Sequence, residues 1–323
     1  MSAIQPANPG RGAPHGLRTA ARRDVGPLLR EWRQRRKLSQ LALALDVGIS
    51  ARHLSFVETG RARPSPELLL SMSEHLAVPL RERNDLLLAA GYAPRYAETP
   101  LASPDMQAVR AALQRLLAAH DPYPGLALDR HWNVVLANRA AQGMLALLPP
   151  ALATEPINML RASLHPEGFA AHTLNFAEWA QHLLHELERA RAATDDPALA
   201  ALADEIATYP NVAALRDAAP AQRPGYAESL LIHCVLTDGQ GGQLSMFTTQ
   251  ATFGSPRDVT LAELMVELFY PADAATEAAL RARGESQESP PTSPGAIGDP
   301  QKLPVQWVVG LQADWAWKKG PMR

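Results

Sequence analysis

Apolar residues recur at helical spacing through the first ninety positions, and then the period changes. Leu28, Leu29 and Trp32 share one face of a segment predicted as a helix over 24–37, and Pro27 suits its first turn, where a missing N–H is no loss. Ser39 is an oxygen-bearing N-cap before Leu41, Leu43, Ala44, Leu45 and Val47, so a short helix is expected from Gln40 until Gly48 ends it. Ile49 follows as an apolar plug. Ser50 then caps a helix over 51–59, with Leu54 and Val57 turned inward, Arg52, His53 and Ser55 turned outward, and Gly60 past its end.

A Pro-punctuated stretch, GYAPRYAETPLASPD, separates this part from the next. Ser103 and Pro104 open a helix in which Met106, Val109, Leu113, Leu116 and Leu117 recur at helical spacing. Two short strands are predicted over 125–128 and 133–137, joined by a polar turn, and Asn138 caps a helix running to about 148. Three later strands are predicted over 229–236, 243–252 and 261–270, with DGQGG as the hairpin turn between the first two. Between the two groups of strands lies a helical insert. Trp179, Leu183 and Leu187 form its first stripe; Asp196 and Pro197 open a second helix with Leu199, Leu202 and Ile206 inward. Two strands, a helical section and three antiparallel strands make a PAS-like layout, with one sheet face against helices around a space that can take a small molecule. The fold class expected is α+β, mainly helical: a five-helix helix-turn-helix domain, then a PAS-like domain with an antiparallel sheet and helical insert.

Length and composition fit two cores: 323 residues, 46% apolar. The limits expected are a disordered arm over 1–17, the helix-turn-helix domain over 18–95, the PAS-like domain over 96–283, and a disordered tail over 284–323 that carries Trp307, Trp315 and Trp317. No apolar run is long enough to span a membrane, and the N-terminus lacks the apolar centre of a secretion signal. The single cysteine, Cys234, sits in the apolar run LLIHCVL and fits a reducing cytoplasm.

Charge singles out the first part. Residues 18–63 hold eleven Lys and Arg against four Asp and Glu, while the rest of the chain holds twenty against twenty-nine, so the net charge of −2 conceals a cationic segment. Such a segment attracts the phosphate backbone of double-stranded DNA. It coincides with the spacing of a helix-turn-helix: counted from Gln40, Ala44 is fifth, Gly48 ninth, and Leu43, Val47, Ile49, Leu54 and Val57 occupy the fourth, eighth, tenth, fifteenth and eighteenth places. Ala44 is small where two helices cross, and a larger side chain there would push them apart. Gln40 lies at a helix N-terminus, where side chain and backbone N–H can grip a phosphate; Arg61 and Arg63 leave the motif toward the backbone.

These residues resemble the XRE (Cro/C1-type) transcriptional regulators, through the SQ opening, the GIS turn and the exit marked by Glu58, Gly60 and Pro64, and the resemblance implies a five-helix domain with two more helices over 66–76 and 80–90. Ala42 departs from that pattern, standing where relatives carry an acidic residue that completes a capping box. The resemblance implies base contacts from Ala51, Arg52 and His53, with Ser50 and Ser55 beside them, and Arg52 suits guanine O6 and N7. The strings DPYPGLALDRHWNVVLANRAA, NMLRASLHPEG and FGSPRDVTLAELMVELFYPAD resemble the ligand-binding domain of MmyB-type regulators, a branch of the XRE proteins. The resemblance implies a homodimeric regulator whose PAS-like domain takes an apolar, acyl-chain-like ligand. Trp132, Met144, Leu160, Phe169, Phe176, Trp179 and Leu183 are candidates to line that space, or simply to fill a core, with Arg161 or His165 meeting a ligand carboxylate.

The remaining chemistry is sparse. His165, His172, His182 and His185 do not form a zinc-hydrolase pattern, and no G-x-S-x-G elbow frames a nucleophile, so neither metal, cofactor nor enzymatic activity is expected. The alternative left open is a DNA-binding protein whose C-terminal half only dimerises or recruits a partner.

Overall fold

The structure is a computed structural model, and it describes residues 24–194, 196–217, 231–237 and 241–288. The expected arm over 1–17 lies outside these residues, as do 289–323 of the expected tail with its three tryptophans. The chain divides into two compact units between Tyr96 and Ala97.

Among the described residues the first unit holds five helices: α1 (Val25–Arg35), α2 (Gln40–Val47), α3 (Ala51–Glu58), α4 (Pro66–His75) and α5 (Leu80–Ala89). Three of their starts are set by serines: Ser39, Ser50 and Ser65 accept hydrogen bonds from the N–H groups of Ala42, His53 and Leu68. Their ends share one device. Lys37, Gly48, Gly60, Ala77 and Gly91 all take positive φ, and at each the next N–H reaches back five residues, as Ile49 does to the Ala44 carbonyl at 2.9 Å. Glycine meets this demand without strain at three of the five; Lys37 and Ala77 bear a Cβ against it. The core gathers Leu29 and Trp32 of α1, Leu43 and Ala44 of α2, Leu54 and Val57 of α3, and Leu69, Met72, Leu86 and Leu87 of α4 and α5. Leu41 and Leu45, part of the apolar run that signalled α2, instead stand 59% and 71% exposed.

In the second unit a 3-10 turn, Pro104–Met106, leads into α6 (Gln107–Ala118). The strands β1 (Gly125–Leu128) and β2 (Val134–Ala137) follow, then α7 (Arg139–Leu145), α8 (Met159–Leu164), a 3-10 turn at Phe169–His172, α9 (Phe176–Ala193), α10 (Pro197–Ala207) and α11 (Pro210–Asp217). The unit closes with β3 (His233–Thr237), β4 (Gln243–Thr252), α12 (Val259–Glu263), β5 (Met265–Pro271) and α13 (Ala274–Glu288). The strands form one antiparallel sheet in the order β2-β1-β5-β4-β3, the arrangement of a PAS-like domain. Helices cover both of its faces rather than one, because consecutive residues of β1 are buried: Leu126 and Leu128 face the helical insert, and Ala127 faces Leu113 and Leu117 of α6.

Three expectations change here. The strand predicted over 261–270 begins as α12, since Asp258 caps it by accepting from the N–H groups of Thr260 and Leu261, and the chain becomes extended only at Met265. Leu116 faces outward from α6 at 45% exposure. Helix α13 runs through 284–288, where the tail was expected to begin. The DGQGG turn falls partly on 238–240, outside the described residues; the antiparallel pairing of β3 with β4 on either side of it is present.

Candidate nucleic-acid interface and ligand cavity

Helix α3 turns Leu54 and Val57 fully into the core and presents Arg52 to solvent, with His53 and Ser55 half exposed beside it. Its first turn is ordered by Ser50, whose hydroxyl accepts from the His53 N–H at 3.1 Å, and Ala51 packs against the core below. Arg61 and Arg63 are exposed in the segment that leaves α3. The Arg52 guanidinium carbon lies 5.4 Å from the centre of the Phe56 ring and that of Arg61 lies 6.0 Å from the same centre. Arg63 is held elsewhere: it sits 4.5 Å from the centre of the Tyr92 ring and donates to the Gly91 carbonyl at 3.3 Å.

Beneath this surface lies a charge pair that the sequence reading missed. Buried Glu58 accepts from Nε and Nη2 of Arg33 at 2.6 and 2.9 Å, and from Nε2 of Gln40 at 2.8 Å, joining α3 to α1 and to the start of α2. Burial alone would push the Glu58 carboxyl up, but the hydrogen bonds from Arg33 and Gln40 and the nearby Arg33 and Arg30 charges hold it below its ordinary value. Gln40, expected to turn its amide to a phosphate, therefore spends a donor on Glu58; its backbone N–H remains at the α2 N-terminus. Glu58 was legible only as a matched letter in the exit pattern, and nothing in the spacing tied it to Arg33, twenty-five residues earlier.

The second unit encloses a cavity of about 70 Å³, room for several water molecules. Met144, Leu148, Phe169, Leu236, Leu244 and Leu280 give it apolar walls, and Asp121, Arg139, Glu167 and Arg283 add charge. His172 also lines it, and burial pulls that imidazole below its ordinary pKa, which favours the neutral ring. One wall is fixed by buried Asn138, whose Oδ1 accepts from the N–H groups of Gly125 and Ala141 and whose Nδ2 donates to the carbonyls of Tyr123 and Leu117. With every capacity used, this side chain sets α7, which carries Arg139 and Met144, against β1.

Comparison with known proteins bears on both sites. Residues 29–83 match the family model for a helix-turn-helix, and residues 109–282, more than half of the chain, match that of the MmyB-like transcription regulator ligand binding domain. The chain belongs to the MmyB-like transcription regulators. It is a DNA-binding transcription regulator with a ligand-binding domain, and both matched families are regulator domains. No curated protein matches it significantly. A solved structure described as an RNA-binding Light-Oxygen-Voltage receptor aligns at 13% identity over 83% of this chain and 64% of that one, with a TM-score of 0.22, too low to bear on the argument.

In this MmyB-like regulator the residues proposed from sequence for the ligand space are not brought together. Met144 and Phe169 line the cavity. Leu160, Trp179 and Leu183 are sealed in the hydrophobic core, and half-buried Trp132 and Phe176 pack against it away from the cavity, because the helical insert closes tightly over the sheet. Arg161 is engaged by Glu205 through two hydrogen bonds of 2.8 and 2.7 Å, and His165 stands edge-on to Tyr209 while its Nδ1 accepts from the Glu167 N–H. The charged lining was missed, although Asp121, Arg139 and Glu167 all fall inside the strings that carried the family resemblance. Among the described residues no group of three His, Cys, Asp or Glu side chains is placed to hold a metal ion, and no helix is long and apolar enough to cross a membrane.

Proposed function

We propose that this regulator binds double-stranded DNA as a homodimer, with one α3 in each of two major-groove half-sites about 34 Å apart, and that a small apolar, acyl-chain-like ligand in the cavity changes that binding. The observation that carries the reading is the exposed Arg52 on the outward face of a capped, firmly seated α3. Its in-plane N–H groups suit guanine O6 and N7, with Ala51, His53 and Ser55 bordering the same base steps. Gln40 through its backbone N–H, Ser50, Arg61 and Arg63 are assigned to phosphates. For the ligand, the support is the apolar wall of Met144, Leu148, Phe169 and Leu244. Working limits of 18–95 and 96–283 are proposed for the two domains. The lone Cys234 is buried, and burial with nearby Glu267 pushes its thiol up to about 12, consistent with an unreactive cysteine in a reducing cytoplasm.

Selection of bound fragments from random DNA by the purified protein tests the first half. A recovered motif of two repeats one helical turn apart is expected; recovery of unrelated sequences would end it. Native mass spectrometry tests the second: a retained lipid-like mass is expected, whereas an empty domain whose DNA affinity ignores added acyl compounds would leave the C-terminal unit with dimerisation or recruitment alone.

A further inference from the structure

We propose that Phe56 is a positioning residue for DNA recognition, its ring seating both Arg52 and Arg61 so that a base-reading arginine and a backbone-contacting one are held in place before DNA arrives. The inference deepens the DNA-binding reading above and rests on it. Phe56 is a large aromatic residue on α3, yet it is not among the described side chains that make or flank the core of its unit. What it does touch is charge: the guanidinium carbons of Arg52 and Arg61 lie 5.4 and 6.0 Å from its ring centre, within reach of the ring quadrupole. Geometry brings both there. Helical side chains lean toward the N-terminus, so the ring at position 56 leans back over position 52, one turn earlier. Arg61 is delivered by the end of the helix, where its N–H donates to the Phe56 carbonyl at 2.8 Å after Gly60 takes φ 73°. At such a helix end an apolar contact usually joins these two positions, and here an arginine takes the apolar partner's place. A cation drawn to a ring by the ring's quadrupole needs no hydrogen bond to it, so the seat restricts the side chain without occupying the N–H donors that bases and phosphates need. Ordering done in the free protein is not required again on binding.

The test compares Phe56→Leu, Phe56→Tyr, Arg52→Ala and the Phe56→Leu/Arg52→Ala pair in the full chain, on the selected site and on random DNA. Phe56→Leu should weaken the selected site by roughly two- to fivefold. It should also relax the base position that Arg52→Ala relaxes, and cost less in the Arg52→Ala background than alone. Phe56→Tyr, which keeps the ring, should restore binding and base preference. Thermal melting of Phe56→Leu separates positioning from folding, and the positioning role needs the DNA effects to persist in a variant that melts like the parent. Should Phe56→Leu not fold, the parent protein decides by itself: ring-current displacement of the Arg52 and Arg61 side-chain proton resonances is required, and its absence overturns the seat. If Arg52→Ala weakens the selected site while Phe56→Leu leaves it unchanged, or if the two losses simply add, the positioning role fails and the reading of Arg52 stands. If Arg52→Ala has no effect on the selected site, the reading of Arg52 falls and the seat with it.

Discussion

Single side chains in this protein divide by what already holds them. Arg52 and Arg63 are both exposed arginines of the DNA-binding unit, but Arg52 lies on the outward face of α3 while Arg63 lies beyond it, stacked on Tyr92 and bonded to the Gly91 carbonyl. Arg52→Ala is therefore expected to weaken the selected site by about 1–3 kcal/mol and relax one base position, whereas Arg63→Ala should weaken all sequences alike and flatten the salt dependence. Binding isotherms at several salt concentrations distinguish them, and equal loss on selected and random DNA would make Arg52 a phosphate contact. A second residue-scale prediction concerns Glu267, on the central strand β5. Burial pushes its carboxyl up to about 7, Glu186 pushes the same way, and a hydrogen bond with Thr248 opposes them. Folded Glu267 thus keeps its proton to near neutral pH, while in the unfolded chain it loses it near pH 4.5. Its contribution is whole below that lower value, declines as pH rises toward 7, and stays lost above, a span of roughly 3 kcal/mol. Glu267→Gln should remove that slope and be the more stable protein at pH 8, as urea unfolding at pH 5 and pH 8 would report; an unchanged slope would mean that the carboxyl is hydrated.

At the scale of elements, the first unit was readable because its signals are local. Each of α2, α3 and α4 begins at a serine whose hydroxyl takes a backbone N–H, and the turns after α2 and α3 need positive φ where glycine stands. The turn after α4 breaks that match: Ala77 has φ 47° with its methyl exposed, and Arg36 donates to the carbonyls of Leu76 and Ala77, so the conformation is held from outside. A left-handed Ala costs roughly 1–2 kcal/mol. Glycine would return about 0.4–1 kcal/mol of that through a freer unfolded chain. Relief of strain wins, so Ala77→Gly should stabilise the unit by about 0.5–1 kcal/mol and raise its melting midpoint by roughly 2–8 °C. A lower midpoint would show that the strain is not there. The second unit was less readable where signals are not local. The run from 261 to 270 is apolar enough for helix or strand, and only the Asp258 cap turns its first part into α12. The candidate ligand residues are large apolar side chains that suit a pocket wall and a core alike, and which of them borders a void depends on where distant elements close. Leu280 and Arg283 of α13 complete the cavity from a helix that the periodicity did not announce.

For the whole molecule, the two units have separate cores, with no residue shared between the one around Leu54 and the one around Trp179. Separate cores do not by themselves couple two binding sites, and a regulator needs something more: a difference in free energy that depends on both being bound. If an acyl ligand in the cavity weakens operator binding by some factor, operator DNA must weaken ligand binding by that same factor, since the two routes to the doubly bound protein have equal free energy. Couplings of this kind run about 1–3 kcal/mol, a change of roughly 5- to 150-fold that titration resolves from either side. The expected outcome is one factor measured twice, once as the shift in operator affinity under saturating ligand and once as the shift in ligand affinity under saturating operator. Two independent binding events would instead give no shift from either direction, and thermal melting would then show the DNA raising one transition and the ligand only the other. That result would leave each site intact and remove the link that makes the protein a switch.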